Sequence, residues 1–160
     1  VHAINPGIRI DCRQQRADDA LLDELVPQAT VVLDCTDNYR TRHMINAACV
    51  RHKVPLVAGA AIRLDGQLMV MDPRDENCAC YACVFPPEAQ FEEVQCSTMG
   101  VFAPVVGVMG TLQAAEALKL IAGFGTPATN RLTMFDSRSL DWSSMQTTRV
   151  PDCPVCGNKA

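Results

Sequence analysis

Two Cys-x-x-Cys pairs are the residues of this sequence best suited to bind a metal. Cys80 and Cys83 form one pair, and Cys153 and Cys156 form the other. Two intervening residues allow both thiolates of a pair to bind one ion from a tight turn, and two such turns complete a tetrahedral site with Zn–S distances of ~2.3 Å. Four sulfur ligands would close the site to solvent. We therefore expect a structural zinc site that ties the C-terminal segment to the middle of the chain.

The same cysteines allow other interpretations. Either pair alone could be a redox dithiol, although neither lies between a strand and a helix as the thioredoxin-type motif requires. Two disulfides, or inert surface thiols, are further alternatives. Cys78 lies two residues before the first pair and could replace Cys80 as a ligand. We recognise no secretory signal beside the nine cysteines, which favours a reducing cytoplasm and a metal site.

A second candidate site lies where a short apolar run ends in acidic residues. Residues 30–35 are typical of a strand buried on both faces, and Asp37 follows them directly before a predicted helix. Ligands bind at the carboxyl ends of strands in open α/β sheets, and a carboxylate there can hold a Mg²⁺ ion that bridges nucleotide phosphates. Alternatively, Asp37 or Asn38 merely caps the helix, and Asp34 merely pairs with a cation.

The segments that most often cradle nucleotide phosphates are missing from this sequence. It contains neither a G-x-G-x-x-G fingerprint nor a Walker A loop. The chain opens without an initiator methionine, and an Asn-Pro-Gly turn signal follows at residues 5–7. We therefore expect residues 1–160 to be a single-domain fragment whose N-terminal nucleotide-binding part is absent.

Composition limits the class of partner. Hydrophobic residues make up 48% of the 160 residues and charged residues 20%, the balance of one globular domain. A formal charge of −4, without a basic stripe, argues against nucleic acid as the main partner. No apolar run reaches the roughly 18 residues of a membrane span. We expect a cytoplasmic protein that binds neither nucleic acid nor a membrane.

Hydrophobic periodicity predicts an α/β fold. Strands are expected at residues 8–12, 30–35, 54–61 and 67–71, with a turn at Asp65-Gly66. Helices are expected at residues 18–25 and 40–51. Strands separated by helices predict right-handed crossovers and a Rossmann-like, mainly parallel sheet flanked by helices. Late strands at residues 132–135 and 142–148 are expected to be antiparallel or edge strands beside the zinc-bound C-terminal segment.

The strongest helix prediction spans residues 104–122. Pro104 suits a first turn, and Gly123 suits a C-terminal cap. Apolar residues on almost every side predict that this helix is buried all round, in the core or against another subunit. Residues 74–100, in contrast, show little periodicity and predict a long loop that is either functional or disordered.

Taken together, these motifs resemble the HesA/MoeB/ThiF family, whose fold and first reaction step are similar to those of the ubiquitin-activating enzymes. The resemblance covers almost the entire chain, and it depends on the combination of motifs rather than on any single one. The motifs are, in chain order, DCTDN at 34–38 with Thr41-Arg42, INAAC at 45–49, PLVAGAAIRLDGQ at 55–67, Cys80-Tyr81-x-Cys83, Cys96, VVGVMGTLQA at 105–114 and CPVCG at 153–157.

The resemblance implies a function. Members bind ATP and Mg²⁺ and adenylate the C-terminal glycine carboxylate of a ubiquitin-like sulfur carrier, releasing pyrophosphate; the carrier is ThiS for thiamine or MoaD for molybdenum cofactor. Many members are homodimers. Carried over to this chain, Asp37 would be the Mg²⁺-site acid, Cys80, Cys83, Cys153 and Cys156 would hold zinc, and residues 84–99 would form a crossover loop over the carrier's tail.

Cys96 has two roles open to it under this resemblance. In the ThiF branch a cysteine in this loop is linked to a covalent carrier intermediate, a role that needs an exposed, activated thiolate. In the MoeB branch the equivalent cysteine is not needed for adenylation. Glu92 and Glu93 nearby would disfavour a thiolate if they lie close in space. Residues 96–100 and Trp142 favour the ThiF branch, whereas residues 58–63 favour the MoeB branch, so the branch stays open.

Functions of two other classes also stay open. A zinc-stabilised dimerisation or protein-interaction module would present the helix at 104–122 to a partner, and a dithiol oxidoreductase would use one of the cysteine pairs. If the protein is an adenylyltransferase, that activity belongs to the complete protein. We expect the fragment alone to be inactive because it lacks the phosphate-cradling loop.

Overall fold

In the computed structural model, which describes residues 1–89 and 100–157, a five-stranded sheet lies between helices. The helices are α1 (Asp19–Leu25), α2 (Tyr39–His52), α3 (Tyr81–Val84) and α4 (Ala103–Ala122), with a 3-10 turn at Val26–Gln28. The strands are β1 (Val32–Asp34), β2 (Leu56–Ile62), β3 (Asp65–Met71), β4 (Arg131–Asp136) and β5 (Asp141–Gln146). The helices at 18–25, 40–51 and 104–122 and both late strands are thus confirmed to within about two residues.

The sheet is mixed, although the sequence predicted a mainly parallel one. Its strand order is β1-β2-β3-β4-β5, and β1 pairs with β2 in parallel through the crossover helix α2. The other three pairs are antiparallel. The α/β class is confirmed, but β2 turns back into β3 at Arg63 and Leu64 without a crossover helix. The predicted turn at Asp65-Gly66 is wrong, because Asp65 already pairs with Ile62.

The predicted strand at residues 8–12 does not form. This segment has no regular structure and no ladder partner among the described residues, and Ile8 and Ile10 are exposed. Alternating apolar residues indicate a strand only where a neighbouring strand accepts the backbone hydrogen bonds. The alternation here has no such neighbour.

Residues of β2 and β3 alternate between two apolar layers. Leu56 and Met69 face the cluster built with α1 and α2, whereas Val57 and Val70 face the cluster built with α4. Because helices cover both faces of β2 and β3, the sequences of these strands contain nearly continuous runs of apolar residues. Complete burial of such a side chain stabilises the fold by about 1.5–3 kcal/mol. β1, in contrast, is shorter than the strand predicted at 30–35 and is not buried on both faces, since Leu33 is 41% exposed.

Helix α4 is buried on one face by this chain, so burial of the whole helix in this core is wrong, while burial against another subunit stays a prediction. Val105 and Met109 face the sheet, while Val106, Leu118 and Ile121 on the outer side are about half-exposed. The length and composition of α4 also match those of a membrane span. However, α4 packs on β2 and β3 as a core helix, and it buries Glu116 against the sheet. The outer face stays uncovered within the described residues.

Candidate metal centre and nucleotide-site acid

The two cysteine pairs converge at one place. Cys80 precedes the first turn of α3, which also carries Cys83, while Cys153 and Cys156 lie in consecutive turns at residues 151–157. All four Sγ atoms lie within 4.8 Å of one another. The Sγ–Sγ distances are 3.8 Å between Cys80 and Cys83, 3.7 Å between Cys80 and Cys153, and 3.3 Å between Cys83 and Cys156.

This donor set fits one tetrahedral metal ion. Four sulfurs at ~2.3 Å from a zinc ion would lie about 3.8 Å apart along each edge, close to the spacing observed. A disulfide would bring two sulfurs to about 2.05 Å, and these cysteines are free. The alternatives of two disulfides or of scattered surface thiols therefore do not describe this cluster.

The electrostatics of the cluster call for a cation. Burial, followed by repulsion from the thiol groups of Cys83 and Cys156, raises the pKa of Cys80. Burial and the hydrogen bond with Cys83 raise the pKa of Cys156 to about 11. The pKa of Cys153 is instead lowered: burial opposes this shift, but hydrogen bonds from the backbone N–H groups of Cys156 and Val155 outweigh it. Charge on Cys83 and Cys156 still disfavours a thiolate at Cys80. A coordinated divalent ion would remove that penalty, because metal-bound thiols are deprotonated.

Surrounding groups fix the cysteine turns. Asn46 of α2 accepts a hydrogen bond from the Tyr81 backbone N–H at 2.9 Å, and its Nδ2 lies 3.7 Å from the Cys80 sulfur. The guanidinium of Arg149 donates to the carbonyl oxygen of Cys156. At Gly157 an added Cβ would lie 2.5 Å from the Cys153 carbonyl oxygen, so the second turn requires glycine there.

Cys78, which the sequence offered as a substitute for Cys80, lies outside the sulfur cluster. Its sulfur accepts a hydrogen bond from the Asp72 backbone N–H at 3.2 Å and lies 3.6 Å from the Ala79 carbonyl oxygen. Burial raises the pKa of this thiol. Cys78 is therefore a hydrogen-bonded structural thiol beside the loop that leads to the first pair.

The buried acid at the end of β1 is already paired. Asp34 is 1% exposed, and its Oδ1 accepts hydrogen bonds from the backbone N–H and the hydroxyl of Thr36 at 2.8 and 2.7 Å. Its Oδ2 lies 3.9 Å from the guanidinium of Arg42, which also donates to the Thr36 carbonyl oxygen. Oδ2 has no hydrogen-bond partner among the described residues, so Asp34 is held through Oδ1 and through a long ion pair with Arg42.

Asp37, three residues further on, is exposed and belongs to no such network. The neighbouring Asn38 caps α2, because its Oδ1 accepts the backbone N–H of Thr41 at 2.9 Å. Within the part of the chain that the structure describes, the Asp37 carboxylate has no hydrogen bond or ion pair. Cap formation is thus the task of Asn38, and the Asp37 carboxylate is left available to a ligand.

A cavity of about 480 Å³ opens beside this carboxylate. Its wall includes Asp37 and Cys35 from the end of β1, Arg42 from α2, Tyr81 from α3 and Gln113 from α4. Tyr81 directly follows Cys80, so the wall of the cavity and the cysteine cluster share one short helix. The cavity is large enough for part of a nucleotide or for an extended peptide end.

Sequence reasoning missed two of these wall residues as functional candidates. The sequence presents Arg42 and Gln113 only as members of longer motifs, without a role of their own. The available signal was periodicity: Gln113 follows Val105 and Met109 at intervals of four residues, which places a polar side chain on the face of α4 that packs on the sheet. A buried polar side chain must find partners.

Cys96 and most of the expected crossover loop at 84–99 lie outside the described residues, since the structure describes this segment only as far as residue 89.

Comparisons with known proteins agree with this fold. The ThiF family matches residues 1–155. The chain is 49% identical to the sulfur carrier protein ThiS adenylyltransferase of Escherichia coli K12, over 96% of this chain and 60% of that protein. It is 44% identical to the molybdopterin-synthase adenylyltransferase of the same organism, over 96% and 61%. The chain therefore spans about three fifths of the length of these relatives.

Solved structures establish the fold at lower identity. The crystal structure of Escherichia coli MccB with ATP matches with a TM-score of 0.78 and 22% identity, over 98% of this chain and 48% of that chain. A similar match to PaaA has a TM-score of 0.68 at 15% identity.

We predict that iodoacetamide labels Cys35 well before Cys49 in the folded protein at pH 8. Cys35 is exposed at the cavity, whereas Cys49 is buried. Burial, reinforced by the charge of Asp34, raises the pKa of Cys49 to about 12, so only about one molecule in ten thousand carries a Cys49 thiolate at pH 8. Peptide mapping by mass spectrometry after short exposure measures both rates. Equal rates in the folded protein would contradict this arrangement; equal rates in denaturant are the control.

Proposed function

The chain belongs to the ThiF family, and from that membership we propose that the complete protein adenylates the C-terminal carboxylate of a ubiquitin-like sulfur carrier. The single observation that carries the proposal is the unpaired carboxylate of Asp37 at the carboxyl end of a parallel strand, on the wall of a large cavity. The two Escherichia coli relatives are adenylyltransferases by name, one for ThiS and one for molybdopterin synthase, which supports this reaction class. Because the chain spans only part of these relatives, the activity is proposed for the complete protein.

The chemistry explains why an acid is needed at this position. A carboxylate oxygen of the carrier attacks the α-phosphorus of ATP, and the bond between the α-phosphorus and the bridging oxygen breaks to release pyrophosphate. Two anions must approach each other, so the barrier depends on positive charge placed where negative charge develops. A bound Mg²⁺ would supply that positive charge. Asp37 would hold the ion, since its carboxylate faces the cavity and is not engaged by any described side chain.

Arg42 has a different task in this proposal. Its guanidinium is engaged by Asp34 and by the carbonyl oxygen of Thr36, so it stabilises the strand end rather than the transition state. The cations that approach the phosphates would come from residues beyond these, together with the glycine-rich loop that this sequence lacks.

We also propose that the four clustered cysteines hold one structural zinc ion. Their spacing, their freedom from disulfides and the repulsion between their thiolates all support a divalent cation. Four sulfur ligands leave no open coordination position, so the ion would hold the chain together rather than take part in the reaction. Free thiols throughout the described cysteines also support a reducing, cytoplasmic setting.

A homodimer is part of the proposal as well. The outer face of α4 exposes Val106, Leu118 and Ile121, and an apolar helix face of this kind supports contact with a second subunit. The same face would serve the alternative function, a zinc-stabilised interaction module without catalysis. An interaction module does not need the Asp37 carboxylate, whereas an adenylyltransferase does. Replacing Asp37 therefore distinguishes the two functions.

Replacing Asp37 with alanine in the complete protein should abolish carrier-dependent ATP–pyrophosphate exchange, with a loss of at least about 100-fold, because the site would lose its metal-holding carboxylate. An Asp141→Ala variant removes an exposed acid of the edge strand and should keep the exchange rate of the unaltered protein. Normal exchange by the Asp37→Ala variant would remove Asp37 from the mechanism and favour the interaction module.

For Cys96 we propose the covalent role of the ThiF branch. The Cys96→Ser variant should then keep ATP–pyrophosphate exchange but lose sulfur transfer to the carrier, since a hydroxyl cannot form the persulfide or disulfide bonds of that step. A Cys12→Ser variant, which alters an exposed thiol elsewhere in the chain, is the control. Unchanged sulfur transfer by Cys96→Ser would instead place the protein in the branch where this cysteine is not needed.

A further inference from the structure

We propose that Gln113 is a positioning residue that fixes the direction in which the chain leaves β1 and thereby places the Asp37 carboxylate at the cavity. The proposal rests on the function proposed for Asp37, but the contacts of Gln113 stand independently of that function. They identify a single side chain from α4 that holds the end of β1 against β2.

The carboxamide of Gln113 joins two strands and a thiol. Its Nε2 donates hydrogen bonds to the carbonyl oxygens of Asp34 and Val57, at 2.8 and 3.1 Å. Its Oε1 accepts a hydrogen bond from the Cys35 thiol at 3.5 Å. The side chain is only 3% exposed, and its two bonds to the carbonyl oxygens are buried, whereas the bond from the exposed Cys35 is partly buried. Losing such a bond leaves a buried polar group without a partner, which is costly.

Gly59 provides the space through which this side chain reaches the strands. An added Cβ at Gly59 would lie 2.3 Å from Oε1 and 2.4 Å from Cδ of Gln113. The φ angle of Gly59 is not in the left-handed region, so alanine is permitted by the backbone there. The carboxamide could move away only by giving up its hydrogen bonds. Gly59 and Gln113 therefore form a coupled pair.

The segment between β1 and α2 is short and held at both ends. Gln113 fixes Asp34 and Cys35 on one side, and the Asn38 cap fixes the start of α2 on the other. Asp37 lies between these anchors, and no described side chain bonds to its carboxylate. Its position is therefore set by the backbone, and a shift of the strand end would move it directly.

The test compares two disturbing variants with a matched control in the complete protein. Gln113→Glu removes the nitrogen that donates both hydrogen bonds while keeping a side chain of nearly the same size. Gly59→Ala keeps the carboxamide of Gln113 but displaces it. Gly66→Ala is the control, because its added Cβ would press on Met109 of the same helix and the same cavity wall, 2.5 Å from Sδ, without touching β1 or Gln113. All three variants should lower the melting temperature.

We expect only the two disturbing variants to change the site. The Mg²⁺ concentration for half-maximal ATP–pyrophosphate exchange should rise about tenfold in Gln113→Glu and Gly59→Ala, with the KM for the carrier unchanged. Cys35 should react with iodoacetamide several-fold faster in Gly59→Ala, because its thiol loses the Gln113 acceptor. Adding Gln113→Ala to Gly59→Ala should cause little further loss, since both changes break the same bonds.

Two results would overturn the inference. One is a Mg²⁺ requirement in Gly59→Ala and Gln113→Glu that shifts no more than in Gly66→Ala. The other is an unchanged Cys35 alkylation rate in Gly59→Ala, measured on protein that still shows a cooperative melting transition. If the unaltered complete protein shows no exchange at all, the proposed function fails, while the alkylation rates still decide whether Gln113 holds the strand end.

Discussion

The meeting of four thiol groups from two distant parts of the chain is the constraint on which this structure depends. Cys80 and Cys153 lie 73 residues apart in sequence, yet their sulfurs are 3.7 Å apart. The segments that carry them have little regular structure of their own, since α3 has four residues and residues 151–157 form only turns. The pairing of β3 with β4 already brings the two segments near each other, but without a shared cation the turns would crowd buried thiolates together.

Helix α2 connects this cluster with the end of β1. At its start, Asn38 caps the helix directly after Asp37, and two turns later Asn46 binds the backbone and sulfur of the first cysteine turn. Helix α2 therefore has the candidate nucleotide-site acid before its first turn and the cysteine cluster along its side. A metal ion in that cluster, as proposed, would help to hold the helix that follows the Asp37 carboxylate.

The two acids at the strand end have been given different tasks by their surroundings. Asp34 is buried and engaged by Thr36 and Arg42, whereas Asp37 is exposed to the cavity and unengaged among the described residues. Asp34 and Asp37 differ in environment although only three residues separate them, because Asp34 belongs to β1 and Asp37 precedes the capped helix α2. Such a division allows one acid to stabilise the fold while the other stays available to a cation.

Features with local causes could be predicted from the sequence. The cysteine turns, the capped helices and the doubly buried strand at 54–61 depend on neighbouring residues, and they formed where expected. Features that depend on distant partners could not be predicted. The segment at 8–12 has no neighbouring strand to pair with, and β2 turns directly into β3. The role of Gln113 could not be predicted either, because its hydrogen-bond partners belong to the distant strands β1 and β2. The exposure of the outer face of α4 could not be predicted for the same reason, because hydrophobic periodicity does not show which part of a protein covers a helix.

The most direct test of this account is X-ray absorption at the zinc edge on protein purified without added metal. The account predicts one zinc ion per chain with four sulfur ligands at ~2.3 Å and no nitrogen or oxygen ligand. A zinc shell with fewer sulfurs, or metal-free protein whose cysteines are joined in disulfides, would contradict it.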